Sequence, residues 1–386
     1  MATRGIWNHP DPQTTILPLL RTHLPYSLAV LRRIQHNFAY PSSTAHVIAT
    51  FPPQSPTVSG LSPSSPWIVL IVDLFRGRET QAYIYSSLEK DGATRPQASE
   101  NFVSKLTAPP ERLAEAQGRL LALLRYVKTN LLPEYLASEA STIDPLSSSN
   151  ASTTTTPLAK VPAPPPTAFL FGAMHTGLLA LLTASGDYLD PNTIPGVRII
   201  RRDDPPYIKY LFPPETGRSS LDQSGEPTTN ALPQGYRFTD RKGRYGVLPH
   251  QFDLVSSRTH IPRSRASLAK MAGVAIYYDG NTTDSTEEDE DEEMPIAWEF
   301  LGFDGSLATL HVEPEHRGRG LAVQISKEIM RSRLLEGAIF RQQGDKEEAW
   351  GHADVAANNL ASRAVMEKVG GKEAWADTWT VIELTD

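Results

Sequence analysis

The sequence predicts a mixed α/β fold of the α+β kind, in which a diverged α/β half precedes a domain built on a twisted, mainly antiparallel sheet flanked by helices. Three observations predict it. Strand-like and helix-like runs mix without any chemical motif up to about residue 235. Beyond that point short strands follow one another through turn signals. A glycine-rich stretch, HVEPEHRGRGLA (311–322), then separates the third of these strands from a long amphipathic run.

The length, 386 residues, suits two domains. We place them at 1–235 and 236–386. In the first, ILPLLRTHLPYSLAVLRRIQ (16–35) carries leucines at helical spacing, PWIVLIVDLF (66–75) reads as a buried strand, and TQAYIYSSLE (80–89) as its hairpin partner. ERLAEAQGRLLALLRYVKTNLL (111–132) is an amphipathic helix, and TAFLFGAMHTGLLALLTAS (167–185) gives one strand and one helix. Between them, 137–166 is rich in Pro, Ser and Thr and has almost no large apolar side chains, so ordering it would not offset its conformational entropy. A second such stretch, 213–235, marks the boundary.

In the second domain GVAIYYD (273–279) and PIAWEFLGFDG (295–305) pair across an acidic loop, 284–293. SLATLHVEP (306–314) follows through Asp304-Gly305, a two-residue hairpin signal. A helix (320–337), a strand AWGHADVA (349–356), a helix (358–370) stopped by Gly370-Gly371, and a last strand (375–384) complete the chain.

Composition excludes several classes. Cysteine is absent, so there is no disulfide, thiolate zinc site or cysteine nucleophile. This fits a reducing compartment, cytoplasm or nucleus, and makes the sequons at Asn150 and Asn281 chance occurrences. No uninterrupted apolar run reaches membrane-spanning length, and the first residues lack the apolar core of a secretory signal. The net charge of −7 is concentrated in 284–293, which holds eight acids and no base, so the remainder is nearly neutral and offers no nucleic-acid surface. No metal-ligand spacing is present, and no metal is expected.

A strand running into a helix through R-G-R-G-L-A puts backbone N–H groups at a helix start, where they lack intrahelical acceptors and meet the positive end of the helix dipole. Glycines allow close approach, and Arg317 and Arg319 add charge. The matching ligand is a phosphate or pyrophosphate; the alternative is a tight turn that merely needs small residues. The absence of G-K-[ST] excludes a P-loop, and hairpin-linked strands do not fit a dinucleotide fingerprint.

Arg317-Gly318-Arg319-Gly320-Leu321-Ala322 resembles the R/Q-x-x-G-x-G/A signature of the GCN5-related N-acetyltransferase (GNAT) superfamily. Val355, Asn359, Ser362, Ala364 and Lys368-Val369-Gly370 resemble the closing elements of that fold, over about 245–386. SRTHIPR (257–263), PIAWEFLGFDGS (295–306) and the glycine stretch look closest to fungal members of the glycine N-acyltransferase-like branch. The resemblance implies a GNAT-type sheet and acetyl-CoA or another acyl-CoA as co-substrate. It implies that the amides of Gly318, Arg319, Gly320, Leu321 and Ala322, beside Arg317, hold the pyrophosphate. The backbone of Leu310, His311 and Val312 would pair with the pantetheine, in a gap between this strand and AWGHADVA. Asn359 would lie near the pantetheine or cap the last helix.

The chemistry implied is N-acylation of a small amine or amino acid. A protonated amine must lose a proton before it attacks, and the oxyanion needs a donor; the backbone of Val312 or His311 could supply it. The glutamate that the family often places eleven residues before Arg317 is Ser306 here, and the tyrosine of the final helix is replaced within Ala364-Val365-Met366. Ser306 could hold a water. His352 and Asp354, alternating on one face of their strand, are candidate replacements as base and orienting partner, against a reading as buried structural groups. Trp298 reads as core or as an acceptor-pocket wall, and Arg258 as a carboxylate clamp or a loop ion pair. The missing groups keep two further readings open: a coenzyme-binding protein without activity, and an acetyltransferase of protein N-termini or lysines.

Overall fold

The computed structural model describes residues 5–53, 65–91, 102–142, 164–214, 216, 232–259, 261–281, 293–337, 339–340 and 350–385. Most of the low-complexity stretch at 137–166, and the acidic loop apart from Glu293, lie outside them. The strands are β1 (Trp7–Asn8), β2 (His46–Ala49), β3 (Ile68–Val72), β4 (Ala82–Ser86), β5 (Ala168–His175) and β6 (Val197–Arg202). They continue with β7 (Tyr207–Phe212), β8 (Tyr236–Arg237), β9 (Gly273–Tyr278), β10 (Ala297–Leu301), β11 (Ser306–Val312), β12 (Gly351–Ala356) and β13 (Lys372–Leu384).

Two compact units emerge. Of the described residues, one contains those up to Ile208 together with those from Ala374 on; the other contains those from Lys209 to Glu373. The boundary expected at 235 therefore falls inside the second unit. Two features account for the difference: the run YIKYLF, hidden between Asp203-Asp204-Pro205-Pro206 and a polar stretch of sequence, is a strand of the second unit from Lys209 on, while most of β13 belongs to the first.

In the first unit the strand order is β1-β2-β3-β4-β5-β13, with β6 also on β13. Strands β2, β3 and β4 are antiparallel neighbours, as the hairpin reading expected, and β4 pairs with β5 in parallel at Ala82↔Phe171 and Tyr83↔Gly172. Strand β3 is buried along its whole length because both sheet faces are covered. Leu120, Leu123 and Leu124 of the helix Pro110–Tyr126 cover one face; Leu17, Leu20, Leu31 and Ile34 cover the other. The single helix read at 16–35 is two, Leu17–Arg21 and Leu28–Ala39. Pro25, without an amide hydrogen, interrupts it.

In the second unit the order is β7-β12-β11-β10-β9-β8. Strands β9, β10 and β11 form the expected antiparallel series, and β11 lies parallel to β12. The helix Leu321–Ile329 buries Leu321, Ile325 and Ile329 against the sheet, an i, i+4, i+8 stripe. Each such side chain contributes roughly 1.5–3 kcal/mol. On the opposite face Trp298, Phe300 and Phe303 pack with Phe252, Val255 and Leu268 from two short helices and with Met271 just after the second. The turn between β10 and β11 has three residues, not two: Gly302 N–H donates to the Ser306 carbonyl at 2.8 Å, and Gly305 takes φ +76°.

Candidate active site

The chain leaves β11 through a short turn, Pro314–His316, which His316 anchors. Its ring is buried, shares a 2.9 Å hydrogen bond with the Tyr236 hydroxyl, and stands edge-on to Tyr278. Past this anchor, residues 317–320 are exposed. Gly318 and Gly320 adopt φ +77° and +79°, and a side chain at either would meet nothing within 4 Å. Backbone conformation, rather than crowding, therefore requires glycine here. Val323 and Gln324 donate to the Gly320 carbonyl, whereas the amides from Gly318 to Ala322 find no backbone acceptor among the described residues. The Arg317 Nε donates to the Val312 carbonyl at 2.9 Å, which keeps a guanidinium over the strand end. The residue set suits a diphosphate: bare amides, a helix dipole and two arginines facing open space.

Strand β11 is irregular in the stretch that leads there. Trp298 pairs with His311, but Phe300 pairs with Ala308, so Thr309 and Leu310 together oppose Glu299. This is a β-bulge, and Thr309 sits in it at φ +58°. Pairing with β12 covers Ser306↔His352 and Leu307↔Ala353 and stops before the bulge. Glu313 N–H donates to the Ile296 carbonyl. By the alternation of an antiparallel ladder past the bulge, the His311 amide also faces β10, while that of Val312 faces the unpaired edge. Of the two oxyanion donors considered, the His311 N–H is thereby directed into the ladder with β10 and the Val312 N–H away from it.

Ser306, His352 and Asp354 come together on the face that carries Trp298, with His352 and the Asp354 carboxylate buried and Ser306 half-buried. Ser306 donates its hydroxyl to Asp304 Oδ1 at 2.7 Å. The Asp304 carbonyl accepts from His352 Nε2 at 2.9 Å, which fixes the tautomer and leaves Nδ1 as the acceptor end. That nitrogen lies 3.4 Å from the Lys209 ammonium, and the ammonium forms a 2.5 Å ion pair with Asp354. Burial, followed by the Lys209 charge, lowers the His352 pKa, so the ring is neutral at pH 7. Burial alone would raise the Asp304 carboxyl; the His352 ring, the Lys209 ammonium and the Ser306 hydrogen bonds carry it below the usual carboxylate range.

Other candidates resolve individually. Asn359 caps the helix Leu360–Val369, its Oδ1 accepting from Ser362 N–H at 3.1 Å. Arg258 pairs with Glu313 at 2.9 Å, the loop ion pair of the two readings. Trp298 is fully buried core and stacks on His311. Sequence reasoning missed Lys209 and Asp304. A lone lysine inside the apolar run YIKYLF was the available signal for the first; nothing local distinguishes the second from an ordinary turn aspartate.

A parted parallel strand pair whose open edge leads into a glycine-shaped helix start is the layout of the GNAT fold class. The model of the acyl-CoA N-acyltransferase verG N-terminal domain matches residues 3–210, and that of FR47-like protein matches residues 288–380. Since the first match spans more than half of the chain, this protein belongs to the family of the acyl-CoA N-acyltransferase verG N-terminal domain. A Drosophila protein of known crystal structure shares the fold at a TM-score of 0.54 and 13% identity, covering 99% of this chain and 98% of its own. A GCN5-related N-acetyltransferase from Sphaerobacter thermophilus aligns at 0.42 and 11% identity, covering 99% and 96%. A tandem GNAT protein from the clavulanic acid biosynthesis pathway aligns at 0.41 and 12% identity, covering 98% and 97%. No curated protein matches the chain. Among the described residues no helix is long and apolar enough to cross a membrane.

Proposed function

We propose that the second unit transfers an acetyl or other acyl group from coenzyme A to the nitrogen of a small amine or amino acid, by direct attack on the thioester, in the manner of the glycine N-acyltransferase-like branch. The observation that carries this reading is the run of bare amides from Gly318 to Ala322, set directly after the unpaired edge at Leu310 and Val312. In this reading the amides of Gly318 to Ala322, with Arg317 and Arg319, hold the diphosphate. The Leu310 and Val312 backbone extends along the pantetheine as to an added strand, and an edge N–H such as that of Val312 meets the developing oxyanion. Asn359 keeps its capping role beside that path.

Ser306 faces the acceptor side as a water-holding group. His352 and Asp354 serve it from behind as positioning residues. Protonating His352 would set a second positive charge 3.4 Å from the Lys209 ammonium in a fully buried place, which disfavours it as the proton acceptor.

Calorimetry with acetyl-CoA, followed by thiol release with free amino acids, small amines and peptides, tests the proposal. Binding with release only to small acceptors supports it. Binding without release from any acceptor would favour a coenzyme-binding protein without activity, release only with peptides a protein-modifying enzyme, and absence of binding would remove the assignment.

A further inference from the structure

We propose that His311 is the proton acceptor of this transfer, set beside the Glu313 carboxylate and laid against Trp298; the inference rests on the acyl-transfer reading of the second unit. In a regular strand His311 and Ser306, five positions apart, would face opposite ways. The extra residue at the bulge resets the alternation. Ala308 packs with the Trp298 cluster and His311 stacks on Trp298, so Ser306, Ala308, His311 and Glu313 all share one face. The bulge therefore adds to the face of that cluster a histidine next to the edge amide of Val312.

The ring is stacked on one side and faces a carboxylate charge on the other. It lies 4.6 Å from the Trp298 ring at an interplanar angle of 19°. Its Nε2 is 3.4 Å from Glu313 Oε2, and Arg258 holds the other oxygen of that carboxylate at 2.9 Å. Glu313 thus favours the tautomer with the proton on Nε2, which leaves the Nδ1 lone pair for an incoming proton. Accessibility separates the two histidines of this face: the His311 side chain is 17% exposed and that of His352 1%. Only His311 can trade a proton with an acceptor and then with water.

The charged groups around His311 are Glu313 on its own strand, Arg317 from the turn and Arg258 from beyond the short helix; from β10 it meets only the Trp298 ring. Burial lowers its pKa first, the Glu313 carboxylate raises it, and the two arginines lower it again, for a net fall. His311 is accordingly neutral at pH 7. An acceptor ammonium gives one proton to Nδ1, and the imidazolium is balanced by Glu313. The freed amine forms the C–N bond at the thioester carbon. The C–S bond breaks, one proton passes from the new N–H to the departing sulfur, and His311 releases its proton to water.

The test uses full-length protein, acetyl-CoA as donor, and the best acceptor from a panel of free amino acids and small primary amines. His311→Phe keeps a ring on Trp298 but removes the base. Its kcat/KM should fall about 100-fold or more at pH 7, with acetyl-CoA affinity by calorimetry unchanged and the acid limb of the pH profile lost. Imidazole should restore turnover to His311→Ala. Glu313→Gln should move the acid limb to lower pH, a readout that survives if the His311 variants fold poorly. Wild-type rates and an intact acid limb in His311→Phe would overturn the role of His311 alone. A wild type that binds acetyl-CoA but releases no thiol with any acceptor would overturn the role and the transfer together. Absence of acetyl-CoA binding would remove the earlier reading at its base.

Discussion

Both units contain a parallel strand pair joined over two registered positions, Ala82 and Tyr83 in the first and Ser306 and Leu307 in the second. They diverge at the turn that follows the leading strand. In the first unit Ser86 N–H donates to the Glu89 carboxylate at 2.8 Å, the Ser87 hydroxyl accepts from Trp67 N–H, and Ser86, Ser87 and Glu89 are all buried. A carboxylate of the chain itself occupies the position where an external anion would be needed. In the second unit Gly318 and Gly320 supply no side chain, and the amides stay bare. The same strand arrangement therefore serves as closed structure in one case and as an anion site in the other, and the difference lies in a few turn residues.

The largest expected effect concerns the charges of the second sheet. Lys209→Met leaves Asp354 buried without its ion pair and should destabilise the protein by about 3–5 kcal/mol in denaturant titrations, with most of the loss recovered in Lys209→Met/Asp354→Leu. Next, Gly320→Glu places a strained backbone and a carboxylate at the anion site. It should weaken acetyl-CoA binding by at least about 100-fold in calorimetry, because φ > 0 is costly for any side chain and like charge opposes the diphosphate. Its counterpart, Glu89→Ala, should cost about 1–3 kcal/mol of stability by stranding the Ser86 amide, yet leave acetyl-CoA binding unchanged. Equal loss of binding in both variants would break the comparison.

A smaller effect is set by pH. Glu299 is fully buried on β10 beside the Ser326 hydroxyl, and burial pushes its carboxyl up to about 8. A carboxyl whose folded pKa exceeds the unfolded value binds its proton more tightly when folded, so wild-type stability falls as pH rises from the ordinary glutamate range toward 8. Glu299→Gln should flatten that decline, and its melting temperature relative to wild type should rise between pH 5 and pH 8.5. Smallest of all, Asn359→Ala should cost about 1 kcal/mol through loss of the helix cap.

Much of this was legible in the sequence because it depends on neighbours along the chain. The glycine turn, the amphipathic stripe of Leu321, Ile325 and Ile329, the hairpin series from β9 to β11 and the cap at Asn359 each follow from local residue types. His352 and Asp354 were correctly placed on one face by period-2 alternation. What escaped depends on other strands. Lys209 gains its meaning from β12 beside β7, and Asp304 from the imidazole of His352. The bulge at Thr309 left no mark in SLATLHVEP, yet it decides which side His311 faces.

The sequence by itself determined that a helix start near Gly320 would expose amides to an anion, since glycine's freedom at positive φ and the missing acceptors of a first turn are properties of the local chain. Tertiary structure alone decided that β11 parts from β12 after Leu307, that one extra residue puts His311 on the face of Ser306, and that a lysine and an aspartate can share a buried place. Strand register and the field around a buried charge are set by residues distant in the chain, and no window of sequence contains them.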